Sequence, residues 1–189
     1  LPDDHDYTEY YYGQDKYDLE YILTWGNTWA EYGGDQALSD WNAFYSSVYN
    51  TDLTQAANYE HLTDNLDVTS LTDYVLTNAF TVCSDWLNYN TGWWRGTNPE
   101  GGHRKWGYIL WDNDATFGHY INYTGIPDTT PYAEPCDVEG LTQPWPDVNG
   151  HMRLLNKMRL NPEFDQYYIT RQADLANTVF SCENMLNYL

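Results

Sequence analysis

Apolar positions recur at helical spacing in several stretches of the chain. Trp41, Phe44, Tyr45 and Val48 share one face of a predicted helix, with Ser39 or Asp40 placed to cap it. A stronger stripe follows Asp67, a suitable N-cap, and runs through Leu71, Tyr74, Val75, Asn78 and Val82 to Cys83. Met152 to Leu160 predicts another helix. Asn161-Pro162 then opens a further one, with Pro in the first turn and Phe164, Tyr167, Tyr168, Arg171 and Leu175 on one side. Ser181 to Leu189 reads as a helix cut short. Between these blocks the pattern changes to short aromatic or β-branched runs at Trp93-Trp94-Arg95 and from Lys105 to Trp111. The turn-forming Asn98-Pro99-Glu100-Gly101-Gly102 separates them, which predicts a β-hairpin. Asp3 to Tyr32 shows no clean period and reads as irregular structure with short helices, punctuated by Gly33-Gly34. Residues 120–150 carry Pro127, Pro131, Pro135, Pro144 and Pro146 and read as a long loop. The class expected is α+β, mainly helical with one small hairpin. The expected layout is an irregular Tyr- and Asp-rich segment over 1–34 and a single domain over 35–189.

Composition bears on whether such a chain folds. Leu, Ile, Val and Phe make up only 35 of 189 residues and the formal charge is −20, a pairing typical of disorder. Nine Trp and nineteen Tyr reverse that reading, because they supply large apolar surfaces inside the periodic segments. Eight Lys and Arg against 28 Asp and Glu make a nucleic-acid partner unfavourable, since binding a phosphate backbone requires protein cations to displace its counterions. The same field would repel a free nucleotide unless a divalent metal neutralised the site. No apolar run approaches the ~20 residues of a membrane span, and the chain opens at Leu1-Pro2-Asp3-Asp4 without a signal peptide. It therefore reads as an excerpt or processed piece of something longer, and its acidic face suits a secreted or cell-surface protein. Three cysteines permit one disulfide, for which Cys136 in the Pro-rich loop and Cys182 near the last helix are the candidates; Cys83 reads as a buried thiol.

Two acidic segments carry candidate chemistry. Asp85-Trp86-Leu87-Asn88-Tyr89-Asn90 lies where the strong helix ends, and Trp111-Asp112-Asn113-Asp114-Ala115-Thr116-Phe117-Gly118 where the hairpin ends. An Asp with an Asn five residues on, then a hairpin, then an Asp at a strand end is the order used by protein kinases. There the first Asp accepts the substrate hydroxyl's proton, while the Asn and the later Asp hold Mg²⁺ against the nucleotide phosphates. Hard divalent ions want oxygen ligands, which these side chains supply. The plain alternative is a set of solvated loop carboxylates.

The second segment resembles the Trp-Asp-x-Asp-x-x-Phe-Gly motif of the CotH (spore coat protein H) kinase-like family, and Asp85 with Asn90 falls where that family keeps its Asp-x₄-Asn. Asn65-Leu66-Asp67-Val68 upstream is similar to the family's flanking pattern. So are Leu154-Leu155, Asn161-Pro162-Glu163-Phe164 and the Arg171-bearing helix downstream. The resemblance implies a diverged protein-kinase-like fold that transfers phosphate from ATP to protein Ser or Thr. It implies Asp85 as catalytic base, Asn90 and Asp112 as ligands of Mg²⁺ (or of Ca²⁺ or Mn²⁺), and Asp114 as an additional ligand. Kinases also need a Gly-rich strand and a Lys–Glu pair in an N-terminal lobe, and nothing before Gly33 resembles them; Lys16 has no strand context. The chain is accordingly expected to be the C-terminal-lobe portion, truncated at both ends and inactive alone. The competing expectation is a pseudokinase-like surface module for assembly or adhesion, its carboxylates holding Ca²⁺ or nothing. Three smaller readings remain. His103 and His119 could add to a metal site, Trp93, Trp94 and Trp106 could stack on a glycan or simply pack the hairpin, and Asn122-Tyr123-Thr124 fits a glycosylation sequon.

Overall fold

Six consecutive buried residues, Leu19 to Thr24, organise the molecule. They belong to β1 (Leu19–Trp25), an inner strand of a four-stranded antiparallel sheet in a computed structural model that describes residues 5–83, 86–117 and 147–188. A turn at Gly26 leads from β1 into β2 (Asn27–Tyr32). On its other side β1 pairs with β3 (Thr91–Gly96), and β3 pairs with β4 (Gly107–Ile109), giving the order β2-β1-β3-β4. The hairpin predicted over 93–111 is thus present, as half of a larger sheet.

The expectation of an irregular segment up to Tyr32 is corrected by this sheet. α1 (His5–Tyr12) precedes β1, and β1 itself is buried on both faces. Such a strand shows no apolar–polar alternation, and its Glu20 and Thr24 interrupt what would otherwise be a continuous apolar run. Glu20 is tolerated because Arg95, opposite it on β3, donates from Nε to its Oε2 at 2.6 Å.

One face of the sheet presents Ile22, Trp93 and Tyr108 to the main core. Against it pack α2 (Gly34–Tyr49), through Trp41, Phe44 and Val48, and α4 (Val68–Phe80), through Leu71, Tyr74, Val75 and Ala79. α3 (Ala56–Asn65) buries only Leu62, too thin an apolar stripe to be read from the sequence. After the segment ending at residue 146 come α5 (His151–Met158), α6 (Pro162–Asn177) and α7 (Cys182–Leu186). The opposite face carries Leu19, Tyr21, Leu23, Trp94 and Ile109, covered in part by Tyr12, Tyr32 and Trp111.

Capping explains where the helices begin. Asp67 accepts a hydrogen bond from the Ser70 amide, as its position predicts, and Asn161 accepts from Glu163 and Phe164 while Pro162 fills the first turn. Neither Ser39 nor Asp40 caps α2. That helix starts nearly two turns earlier, at Gly34 after Gly33 with φ 83°, and so adds the buried Ala37 to its inner face. Asp40 instead reaches Arg95 at 2.9 Å. Asp147 caps α5 from outside, accepting from the amides of His151, Met152 and Arg153.

Cys83 is buried, as expected, and Cys182 is exposed at the start of α7. Cys136 and the sequon at Asn122 lie outside the described residues.

Candidate functional site

The antiparallel ladder decides which loops meet. Thr24 faces Thr91 and Gly92 faces Ile109, so the Gly26 turn, the residues preceding β3 and those following β4 all lie at one end of the sheet. Asn90 immediately precedes β3, and Asp112 and Asp114 stand just beyond β4 at that same end. The Gly26 amide donates to the Asn88 carbonyl at 2.7 Å, tying the turn to the first acidic segment. Asp85 and His119 lie outside the described residues.

Both acidic segments rest on the C-terminal half of α4. Tyr74 Oη and Thr91 Oγ1 are 3.1 Å apart, and the Leu87 amide donates to the same Thr91 hydroxyl at 3.0 Å. On the other side Asn113 Nδ2 donates to Asn78 Oδ1 at 3.2 Å, and the Phe117 amide donates to the Thr81 carbonyl at 2.8 Å. The Phe117 ring meets Phe80 edge-on at 6.2 Å. Asn78 is buried and anchored to the Tyr74 carbonyl. An amide at a core position of an otherwise apolar stripe was the sequence signal for this role, and it reads there only as part of the stripe.

The backbone here is strained. Among the described residues the non-glycine positions with positive φ are Val82, Leu87, Asn90, His103, Asp112 and Phe117, and all but His103 fall in or beside these two segments. Each left-handed residue costs of order 1 kcal/mol, more for the β-branched Val82, and such residues persist where surrounding contacts over-determine them. Asn90 and Asp112, with φ 49° and 51°, are the two positions singled out for metal ligation.

Asn90 is buried, whereas Asp112 and Asp114 are exposed, and no ion pair engages either carboxylate among the described residues. Hard oxygen donors of this kind suit Mg²⁺, Ca²⁺ or Mn²⁺. Among the described residues no three His, Cys, Asp or Glu side chains are grouped as a metal site.

Two of the smaller alternatives are decided here. His103 sits in the β3–β4 turn at the far end of the hairpin from Asp112, with its ring 3.7 Å from that of Trp94, and is no part of the acidic end. Trp93, Trp94 and Trp106 are 0%, 4% and 0% exposed, so they pack the hairpin and form no open stacking platform for a glycan.

Residues 5–189 match the family described as CotH kinase protein. The chain belongs to that family. No curated protein and no solved structure matches it. The CotH match takes in α1 and the β1–β2 hairpin as well as the two acidic segments, in keeping with a sheet in which β1 holds β3. Within this CotH chain the sheet's Arg95 is committed to Glu20 and Asp40, and its guanidinium lies 4.8 Å from the Trp106 ring centre. It is a structural cation rather than one free for a phosphate. No helix among the described residues is long and apolar enough to cross a membrane.

Proposed function

We propose that the acidic end of the sheet is the metal-and-phosphate half of a protein-kinase active site that moves a phosphoryl group from ATP to a Ser or Thr hydroxyl of a protein. The observation that carries this reading is the shared pedestal. α4 braces the segment ending in Asn90 and the segment holding Asp112, two stretches separated by a whole hairpin, and both residues adopt a left-handed backbone at one end of the sheet. Membership of the CotH kinase family supports it.

Asn90, Asp112 and Asp114 would hold the divalent ion, Mg²⁺ or Mn²⁺, whose chemistry when bound is to neutralise the phosphate oxygens. The chain's own contribution is placement. Asp112 and Asp114 are exposed and form no ion pair among the described residues, and Phe117 and Asn113 hold the loop that carries them against α4. Asp85 would accept the proton from the attacking hydroxyl. The acidic, cation-poor composition suits a secreted or cell-surface setting, and we propose that one.

Incubating the natural protein with radiolabelled ATP, Mg²⁺ or Mn²⁺ and a Ser-rich protein tests the proposal. Label should pass to the protein substrate and fall at least about 100-fold in Asp112→Ala and Asp85→Ala, given the usual weight of a metal ligand or general base. Binding of Ca²⁺ with no nucleotide binding and no transfer would instead support the assembly or adhesion module.

A further inference from the structure

A cavity of about 520 Å³ opens on the flank of the sheet, between α1, the first turn of α4 and strand β4. Tyr7, Tyr12, Trp94 and His103 bring aromatic rings to it, and Asp67, Ser70, Tyr108, Ile109 and Leu110 complete the lining. The rings meet at steep angles, like the corners of a box. Tyr12 and Trp94 are 5.5 Å apart at 68°, Trp94 and His103 3.7 Å at 75°, and Tyr7 and Tyr12 6.2 Å at 61°.

The box is firmly built. Gln14 is fully buried just beyond α1 and spans to the β3–β4 turn, donating from Nε2 to the carbonyls of Gly102 and Asn98 and accepting from the Asn98 amide. The Gly102 amide donates to the Tyr12 carbonyl at 2.6 Å. Gly107 has no side chain, and the His103 ring occupies that space, since a Cβ there would lie 2.6 Å from its Cε1.

The polar groups of the walls point to one kind of ligand. Asp67 uses Oδ1 to cap α4 through the Ser70 amide, and its Oδ2 has no partner among the described residues. The described lining contains no Lys or Arg, and burial holds His103 down at about 4, so the imidazole is neutral at neutral pH. π faces attract cations, and a chain with a formal charge of −20 discourages anions. A primary ammonium is strongly hydrated and costly to strip of water between aromatic rings, whereas a methylated ammonium is weakly hydrated and suits them.

We propose that this cavity binds a small quaternary-ammonium compound, with its charge against the aromatic rings and the Asp67 carboxylate. The site is separate from the acidic end of the sheet and does not depend on phosphoryl transfer.

Choline serves as the probe, titrated into the full chain without metal or nucleotide and followed by tryptophan fluorescence and calorimetry. Its uncharged isostere, in which a tert-butyl group replaces the trimethylammonium, and n-butylammonium, a stand-in for a lysine side chain, are the comparators. Choline should bind, with each comparator at least about tenfold weaker. Asp67→Asn, which keeps a good helix cap while removing the charge, should weaken choline about tenfold, and Tyr7→Leu several-fold, both with melting curves close to the parent's. Absence of choline binding would overturn the proposal, and so would equal binding of the isostere, tighter binding of butylammonium, or unchanged affinity in both variants.

Discussion

Arg95 sits between two carboxylates, 2.6 Å from Glu20 and 2.9 Å from Asp40. Glu20 is 6% exposed, and burial, outweighing the Arg95 hydrogen bond and charge, raises its carboxyl above the usual range. A carboxylate in that position is held charged mainly by its arginine. Arg95→Met should therefore cost about 3 kcal/mol in urea unfolding, because it strands Glu20 and Asp40 rather than because the pair itself is worth that much. Combining it with Glu20→Leu should restore most of the loss. A single variant within about 0.5 kcal/mol of the parent would mean the cluster behaves as an ordinary surface pair.

The helix α4 connects sequence to site. Its N-terminus was legible because Asp67 caps it, and its stripe because Leu71, Tyr74 and Val75 recur at helical spacing. Its function as a pedestal was not legible, since that depends on Asn78 and Thr81 meeting Asn113 and Phe117 across more than thirty residues of chain. Asn78→Ala removes the acceptor of the Asn113 amide and the side-chain bond to the Tyr74 carbonyl, which should cost about 1 kcal/mol. Hydrogen exchange should then quicken at Phe117, whose amide bonds to Thr81, while the β1–β3 amides stay protected; uniform quickening would mean the segment is not held locally. Other elements divide in the same way. α6 announces itself through Asn161-Pro162 and the hairpin through Asn98 to Gly102. β1 does not, because burial on both faces erases alternation, and α3 does not, because one buried leucine makes no stripe. For the site, motif spacing indicated the two segments, but only strand pairing places Asn90 and Asp112 at one end of the sheet.

Acid sensitivity belongs to the whole molecule. His151 is completely buried beneath Trp41 and Trp93, with the Tyr108 hydroxyl 2.7 Å from its Nδ1, and desolvation lowers it to about 4; His103 is lowered to about 4 by the same cause. Unfolding returns both to the ordinary value near 6.5, so between about pH 6.5 and 4 the unfolded chain binds more protons than the folded one. Stability should accordingly be fully present above about pH 6.5 and decline as the pH falls toward 4. His151 alone accounts for a loss on the order of 3 kcal/mol. Melting curves across that range should show the decline, and His151→Gln should make it shallower while the His103 part remains; a flat profile for the parent would mean that neither imidazole is held neutral.

The claim that gives these parts a purpose is that the strained, acidic end of the sheet holds a divalent ion together with nucleotide phosphates. Electron paramagnetic resonance of Mn²⁺ with ATP, titrated against the full chain and against Asp112→Ala, tests it most directly. The parent should immobilise Mn²⁺ in the presence of ATP, and the variant, with an unchanged melting curve, should do so at least about tenfold more weakly. Equal binding by the two proteins, or none by the parent, would contradict it.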